Sequence, residues 1–139
     1  MAEVEDYIAR HAATEGNLLP ILNDVQAHFG HVSDEAIRTI AAALNLTRAE
    51  VHGVVSFYHD YRKRAPALPV IKLCRAEACQ ARGCEALIDD AEASAAGRVT
   101  IESVYCLGLC SVGPAALANG MVYARLDRSK LAALIEAAA

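Results

Sequence analysis

The residues with the clearest capacity for chemistry are five cysteines, carried in two short stretches. CRAEACQARGC contains Cys74, Cys79 and Cys84, and CLGLC contains Cys106 and Cys110. In a reducing compartment, cysteines in such numbers are better interpreted as metal ligands or redox groups than as a disulfide framework. The question is therefore which of these sulfur atoms the fold brings together.

Two predicted strands position four of the cysteines. The strand LPVIKLC ends at Cys74, and the strand RVTIESV places Cys106 at its end. Cys79 is predicted in the loop that opens the next helix, and Cys110 in the loop before a hairpin. If the two strands are neighbours in a sheet, these four thiolates meet at one edge.

The surroundings of these cysteines favour the thiolate form. Backbone amides at a helix N-terminus stabilise negative sulfur, and Arg75 and Arg82 add positive charge nearby. The run CLGLCSVGP is rich in glycine and small residues, so backbone N–H groups can approach sulfur closely, as iron–sulfur sites need.

The spacing leaves three interpretations open: an iron–sulfur cluster, a zinc site and unligated thiols. Structural zinc sites usually pair cysteines in tight knuckles, whereas these pairs are C-x4-C and C-x3-C with a predicted helix and strand between them. A [2Fe–2S] cluster takes two thiolates on each iron and suits wider loops. A dithiol–disulfide enzyme is disfavoured because no C-x-x-C begins the helix.

Cys84 is predicted to stand apart from the other four cysteines. On a helix over residues 80–95 it shares an apolar face with Leu87 and Ala91 and points roughly 140° away from Cys79. We interpret it as a buried core cysteine rather than a ligand.

The rest of the C-terminal half alternates between predicted strands and helices. AALANGMVYARL has the pattern of a hairpin, and its Asn119-Gly120 pair suits a type I′ turn. A last helix is capped by Asp127 and buries Leu131, Leu134 and Ile135. The order β-α-β-β-β-α predicts a mixed sheet with helices against it, as in a thioredoxin-like fold.

The N-terminal half predicts four helices, because apolar residues recur there at helical spacing in four stretches. These are Val4, Tyr7, Ile8 and His11; Ile21, Leu22, Val25 and Phe29; Ile37, Ile40, Ala41 and Leu44; and Val51, Val54, Val55 and Tyr58. Gly30 closes the second helix, Ser33 can cap the third, and Thr47 with Glu50 forms a capping box for the fourth. The pattern is typical of a small antiparallel helical bundle.

The boundary between the two halves is placed in RKRAPALP, where a basic run and two prolines interrupt the pattern. We therefore expect an α+β protein with two parts. Residues 1–66 form the helical bundle, and residues 67–139 form a thioredoxin-like mixed-sheet domain with flanking helices.

Composition and charge exclude several classes of function. The chain has 139 residues and a net charge of −4, without the basic patch of a nucleic-acid-binding protein. No apolar run approaches the ~18 residues of a membrane span. The first residues, MAEVEDYIARHAA, have acids where a secretory signal has bases. We expect no export signal, no membrane insertion and a cytoplasmic location.

Two alternatives from other classes can be stated. EAIRTIAAALNLTRAEVHGVVSFY has the spacing of a helix-turn-helix DNA-binding regulator. Residues 1–66, however, carry nine acidic and six basic side chains, a net charge of −3, and phosphate binding needs the opposite sign. The other alternative is a zinc-stabilised interaction module, which metal analysis would separate from an iron–sulfur protein.

The whole pattern resembles a known family. C-x4-C followed by C-L-G-x-C, on a β-α-β-β-β-α domain after a helical bundle, is similar to the thioredoxin-like [2Fe–2S] subunits of respiratory complex I, NAD-reducing hydrogenases and NAD-dependent formate dehydrogenases. The resemblance extends from GHVSDEAI and VHGVVSFYHDYR through CRAEACQARG to CLGLCSVGPA. FYHDYR and CRAEAC look most like the gamma subunit of formate dehydrogenase.

The resemblance implies a site and a role. Its ligands to a [2Fe–2S] cluster fall on Cys74, Cys79, Cys106 and Cys110, and Cys84 has no counterpart among them. The chain would be a non-catalytic electron-transfer subunit of an oxidoreductase, beside a flavin- and NAD-binding subunit. FMN, NAD and a molybdenum cofactor on a formate-oxidising large subunit are expected only on partners.

Other polar groups carry weaker signals. His28 and His31 lie three apart, and His52 and His59 lie seven apart, but no cysteine or carboxylate at ligand spacing accompanies them. We interpret these histidines as capping, surface or core groups. The basic run at 62–64 could serve as a docking patch, but a short basic run of this kind is usually a solvated linker.

Overall fold

The chain forms seven α-helices and a four-stranded mixed sheet within residues 2–139, the part that the computed structural model describes. In chain order the elements are α1 (Ala2–Arg10), α2 (Leu18–Phe29), α3 (Asp34–Ala43), α4 (Arg48–Phe57), β1 (Val70–Cys74), α5 (Glu77–Gln80), α6 (Glu85–Ala95), β2 (Thr100–Val104), a 3-10 turn (Cys110–Val112), β3 (Ala116–Ala118), β4 (Met121–Tyr123) and α7 (Arg128–Ala138). The predicted α+β class is confirmed.

The chain divides into two compact units, Met1–Pro66 and Ala67–Ala139. That residues 1–66 and 67–139 are two domains stays a prediction. No helix within residues 2–139 is both long and apolar enough to cross a membrane.

The helices of the first unit begin and end where local signals predict. The Ser33 hydroxyl accepts a hydrogen bond from the Ala36 amide at 3.1 Å, and Thr47 and Glu50 form the complete capping box. Gly30 ends α2 in the left-handed conformation, with φ +72°, which glycine adopts without steric cost. The apolar stripes meet in one core, whose most deeply buried members are Ile21, Leu22, Val25, Ile40 and Val51.

Three helices end one residue before the last residue of the predicted apolar stretch, and for α3 that residue is Leu44. His11 follows the last residue of α1, and its Nε2 lies 2.9 Å from Asp24 Oδ2 on α2. Tyr58 follows the last residue of α4 and has an extended backbone. All three differences are within the fraying that helix ends normally show.

The sheet of the second unit has the strand order β2-β1-β3-β4. β1 pairs parallel with β2 and antiparallel with β3, and β3 pairs antiparallel with β4. Along β1 the side chains of Ile71 and Leu73 are buried and alternate with half-buried neighbours, because successive residues of a strand face opposite sides. The buried face packs against residues of α6 and α7.

The predicted hairpin and last helix are also present. Asn119 and Gly120 have φ of +50° and +73°, as a type I′ turn requires. They join β3 to β4, which lies at the edge of the sheet with all three side chains exposed. The Asp127 side chain caps α7 by accepting a hydrogen bond from the Lys130 amide at 2.9 Å.

The predicted helix over 80–95 is wrong in one respect: two helices, α5 and α6, occupy the region between the first two strands. The amide of Cys84 donates to the Cys79 carbonyl at 3.0 Å, and the amide of Gly83 donates to the Gln80 carbonyl at 2.9 Å. With Gly83 at φ +87°, this is the Schellman arrangement that ends a helix. Helix α5 therefore ends at Gln80, and a new helix, α6, begins at Glu85.

Candidate metal centre

Cys74 and Cys106 lie at or just beyond the ends of two neighbouring parallel strands. Cys74 is the last residue of β1 and pairs in register with Val104, the last residue of β2. Cys106 lies two residues beyond Val104 and is reached through Tyr105. Because parallel strands end at the same edge of a sheet, Cys74 and Cys106 arrive at one edge, as predicted.

Cys106 and Cys110 form one close pair of sulfur atoms. Their Sγ atoms are 3.6 Å apart, and both residues are exposed. Two sulfur atoms bound at about 2.3 Å to one tetrahedral metal ion lie about 3.8 Å from each other. The pair is therefore already spaced for one metal ion.

The loop between these two cysteines holds the pair by its backbone. The amide of Gly108 donates to Cys106 Sγ at 3.4 Å, and Gly108 has φ +75°. Cys106 itself has φ +84°, a conformation that costs a residue with a Cβ of order 1 kcal/mol or more and is seen mostly at functional sites. The strained backbone thus occurs at the residue whose sulfur meets that of Cys110.

Cys74 and Cys79 form a second, buried pair. Cys79 lies within the single turn of α5, whereas it was predicted in the loop before a helix. Burial, followed by the hydrogen bond between its thiol and Cys74, raises the pKa of Cys79 to about 11. Cys79 is therefore the donor in this pair, and Cys74 is the acceptor.

Backbone amides from both loops surround the Cys74 sulfur. Burial alone would raise its pKa, but hydrogen bonds from the amides of Ala76, Cys106 and Leu107 and from the Cys79 thiol lower the pKa below the ordinary cysteine value. Ala76 is the N-cap residue of α5, as the expected helix N-terminus requires. The amides of Cys106 and Leu107 tie the second cysteine loop to the first.

The arginines were predicted to stabilise the thiolates, but in the structure they contribute less at Cys74 than the backbone amides do. Arg75 forms a forked ion pair with Glu85, with Nε–Oε1 and Nη2–Oε2 distances of 3.0 and 2.7 Å. Its charge is thus partly neutralised, and the Glu85 carboxylate holds the pKa of Arg75 above its ordinary value. The aliphatic part of the Arg82 side chain lies next to Gly113. The amides, rather than the arginines, are the main source of thiolate stabilisation at Cys74.

The prediction that Cys84 faces away from Cys79 is wrong. Cys84 is buried, as expected, but it packs with Cys74, Cys79 and Ala115 and not with the Leu87 face of α6. The angle of 140° assumed one continuous helix, whereas the Schellman turn reverses the chain between the two residues. An apolar contact between the residues that flank such a turn is its usual companion.

Gly113 is a part of the site that sequence reasoning did not single out. A Cβ at this position would lie 3.0 Å from Cys79 Sγ and 3.3 Å from Arg82 Cδ. Any side chain here would therefore displace the Cys79 sulfur. The Gly-Pro step after the second cysteine pair was a signal for a close backbone approach, but it did not indicate which sulfur would be approached.

Two of the histidines contact neighbours within the first unit. His28 lies 3.4 Å from Glu3 and contacts the rings of Tyr7 and Phe29. His52 contacts Ser56 and Lys63 on the surface. Within residues 2–139, no three His, Cys, Asp or Glu side chains are arranged to hold one metal ion.

The cysteines are thus arranged as two pairs. A single zinc ion with four thiolates needs all four sulfur atoms around one point, whereas a [2Fe–2S] cluster takes two thiolates on each of two irons. The donor set fits the second arrangement, because one pair is spaced for one metal and the two pairs share the hydrogen-bonded edge described above.

The family model for the thioredoxin-like [2Fe-2S] ferredoxins matches residues 4–139. The chain belongs to this family. The match includes the helical segment that resembled a helix-turn-helix, so that segment is a part of the ferredoxin family's own fold. Membership also supports an iron–sulfur cluster as the cofactor, in agreement with the two pairs of cysteines.

Curated ferredoxin-family relatives are components of larger enzymes. The chain is 30% identical over 128 residues to NADH-quinone oxidoreductase subunit 2 of Thermus thermophilus, covering 85% of this chain and 71% of the relative. It is 28% identical over 130 residues to NADP-reducing hydrogenase subunit HndA of Solidesulfovibrio fructosivorans, covering 87% and 76%.

A solved structure shares the same fold. In the crystal structure of an NAD+-reducing [NiFe]-hydrogenase in the air-oxidized state, a chain matches with a TM-score of 0.72 and 28% identity. The match covers 86% of this chain but 22% of the hydrogenase chain. This protein therefore corresponds to about a fifth of that longer polypeptide.

Proposed function

We propose that this chain is an electron-transfer subunit that carries one [2Fe–2S] cluster on Cys74, Cys79, Cys106 and Cys110. The observation that carries the proposal is the pairing of these sulfur atoms at one edge of β1 and β2. Family membership supports the cofactor, and the spacing of the exposed pair supports a tetrahedral metal ion at Cys106 and Cys110.

The residues around the cysteines explain how a negatively charged centre is tolerated. When bound, the cluster accepts and returns one electron, and its charge with four thiolates changes from −2 to −3. The amides of Ala76, Cys106 and Leu107 point at Cys74, and the amide of Gly108 points at Cys106. These fixed dipoles stabilise negative sulfur without a mobile counter-ion.

Access to the site is one-sided. Cys74 and Cys79 are buried, whereas Cys106 and Cys110 are exposed. We infer that a redox partner approaches from the side of the second loop, since electron transfer requires close contact and the first pair is covered by protein. Ala115, Leu107 and Leu109 pack against the buried cysteines and keep water from that side.

We propose that the parent enzyme is a cytoplasmic, NAD-dependent formate dehydrogenase. The segments FYHDYR and CRAEAC support this assignment, because they resemble the gamma subunit of that enzyme. The partner would be a flavin- and NAD-binding subunit, which performs the hydride chemistry on FMN. Formate oxidation would belong to a molybdenum-containing large subunit, and this chain would have no active site of its own.

The names of the relatives support two other parent enzymes. The relatives are subunits of an NADH-quinone oxidoreductase and of an NADP-reducing hydrogenase. Purification of the intact complex from cells that express a tagged copy of the chain separates the three. Molybdenum and formate oxidation support formate dehydrogenase, nickel supports a hydrogenase, and co-purifying membrane subunits support a quinone oxidoreductase.

The cofactor itself is tested on the isolated chain. We expect two irons and two sulfides for each chain after anaerobic purification, a visible absorbance band, and an EPR signal of a [2Fe–2S] cluster after reduction. A colourless protein with one zinc ion for each chain would contradict the proposal and support the zinc module instead.

A further inference from the structure

The segment that leads into the basic run is held against α2 and is not a loose linker. The side-chain amide of Gln26 on α2 accepts a hydrogen bond from the Arg62 amide at 2.6 Å and donates one to the Asp60 carbonyl. The Val32 amide donates to the Arg62 carbonyl at 2.7 Å. The backbone at 60–62 is therefore fixed to the bundle on both sides of Tyr61.

The same segment positions three aromatic rings at the end of α4. The ring centroids of Phe57 and Tyr58 are 5.1 Å apart and those of Tyr58 and Tyr61 are 6.1 Å apart, and both pairs meet edge to face. The Tyr61 hydroxyl donates to Asn23 Oδ1 at 2.8 Å. Phe57 and Tyr58 nevertheless remain 76% and 44% exposed. Aromatic side chains held in this way are enriched at protein interfaces.

Tyr58 joins these rings to an apolar cleft in the bundle. The cleft has a volume of about 560 Å³, and Leu18, Leu44 and Val54 are among the residues that line it. The exposed rings and the cleft thus form one apolar surface, which has both a projecting side chain, Phe57, and a recess beside it.

The charges that follow these rings are opposite in sign to those of the preceding helices. Residues 1–61 carry nine acidic and three basic side chains, whereas residues 62–64 are all basic. The Lys63 and Arg64 side chains are exposed, and Lys63 Nζ lies 3.2 Å from His52 Nε2 on the helix that ends at Phe57. An apolar centre with a positive rim is complementary to a surface that has an apolar centre and an acidic rim.

We propose that Phe57, Tyr58, Lys63 and Arg64 form a docking surface for an acidic face of another subunit of the same enzyme complex. This inference deepens the proposed function and rests on it, because that function requires a partner subunit. The rings supply most of the contact energy, and the cations orient the partner. The surface lies in the first unit and every proposed ligand lies in the second, so the two can be altered separately.

A protein partner explains this surface better than a polyanion does. Anionic membranes and single-stranded nucleic acids also bind basic residues with neighbouring aromatic rings. Their binding, however, grows with the number of cations that meet the phosphates, and here three cations lie on a chain with a net charge of −4. A partner whose acidic residues are confined to one face matches a basic cluster of this size.

The experiment purifies the complex through an affinity tag on the full chain, in cells that lack the untagged copy. The wild type is compared with Phe57→Ala, with Lys63→Glu/Arg64→Glu and with the matched control Arg38→Glu/Arg48→Glu. The control reverses two exposed cations of the same unit, so its net charge changes equally. The amount of each captured subunit is measured at low and at physiological salt. Iron for each chain and circular dichroism report the metal site and folding.

We expect Phe57→Ala to capture roughly tenfold less of one partner subunit than the wild type does. Lys63→Glu/Arg64→Glu should capture several-fold less at low salt, and its difference from the wild type should shrink as salt is raised. The control should capture as much as the wild type, and each variant should keep the wild-type iron. Equal capture by Phe57→Ala and the wild type would overturn the proposal, as would an equal loss in the control.

Two measurements on the purified chain test the other occupants. Sedimentation with phosphatidylserine vesicles that depends on Lys63 and Arg64 would overturn the proposal in favour of a membrane surface. A dimer detected by light scattering and abolished by Phe57→Ala would overturn it in favour of a second copy. If the wild-type chain captures no oxidoreductase subunit, the proposed function itself has failed, whereas normal capture by every variant removes this inference alone.

Discussion

At the sheet edge that carries the cysteines, single residues matter because other atoms lie very close to them. Gly113 is the clearest case, because the Cys79 sulfur lies only 3.0 Å from the position that a Cβ on residue 113 would occupy. Its φ is −64°, so any residue could adopt this backbone. Glycine is thus required at this position for space and not for conformation.

We predict that Gly113→Ala weakens the site without a backbone penalty. The added methyl group would meet Cys79 Sγ at 3.0 Å, and overpacking of this kind costs about 1–3 kcal/mol. Iron should be released to a chelator several-fold faster than from the wild-type protein. The control is Gly53→Ala on α4, where no atom lies within 4 Å of the new Cβ. Equal release rates for Gly113→Ala and the wild type would show that the sulfur can move aside.

A second prediction concerns Glu50 in the capping box. Its hydrogen bonds from the Thr47 amide and hydroxyl hold the pKa of this carboxyl below the usual value. A carboxyl with a lowered pKa stabilises the fold above the usual glutamate pKa of about 4.3, and this contribution disappears as the pH falls through the lower, folded value.

The free energy of unfolding of the wild type should therefore exceed that of Glu50→Gln at pH 7. The difference should shrink as the pH is lowered towards 3. Urea unfolding of the full chain at several pH values measures this, and Glu35→Gln in the first turn of α3 controls for the loss of one carboxylate near a helix N-terminus. A difference independent of pH would mean that the charge of Glu50 has no role.

At the scale of elements, local signals explain which parts of the fold were predictable from sequence. Ser33, Thr47 with Glu50, and Asn119-Gly120 each fix a helix start or a turn through contacts within a few residues. The break at Gly83 depends on less. A lone glycine within a helical pattern is a weak signal, and the Cys79–Cys84 contact that completes the turn exists only in the folded chain.

The same distinction applies to the site. The order of strands brought Cys74 and Cys106 to one edge, and that inference needed only the rule for parallel strands. The helix N-terminus beside Cys74 was also predicted, but the positive φ of Cys106 and the approach of the Cys106 and Leu107 amides to Cys74 were not, because they depend on the detailed path of two loops that meet in space.

We predict that Gly83→Ala destabilises the turn between α5 and α6. An alanine at φ +87° has no steric neighbour, so its cost is conformational, about 1–2 kcal/mol. Urea unfolding of the chain without metal should reveal this loss. Gly83→Asn is the matched variant, because asparagine tolerates the left-handed region and should recover a part of the stability. Equal losses for both would point to a role of Gly83 other than its backbone conformation.

On the scale of the whole molecule, all five cysteines lie in the unit Ala67–Ala139. That unit has its own core of sheet and helix residues, distinct from the core of the four N-terminal helices. The proposed metal ligands and the helical bundle therefore lie in separate parts of the sequence.

We predict that a fragment of residues 67–139 binds iron and sulfide in the same ratio as the full chain. The reason is that every proposed ligand and every amide that contacts a ligand sulfur belongs to this unit. Iron analysis and the absorbance spectrum of the two proteins provide the comparison. A fragment that folds, by circular dichroism, but holds no iron while the full chain does would contradict the division into two domains.

The unequal burial of the sulfur atoms has a practical consequence for the metal-free chain. An alkylating reagent added under native conditions should label Cys106 and Cys110 at once, and the other three cysteines at the much slower rate of local opening. Mass spectrometry of a labelling time course would then resolve two kinetic classes. The slow class serves as a built-in reporter of how often this edge of the sheet opens to water.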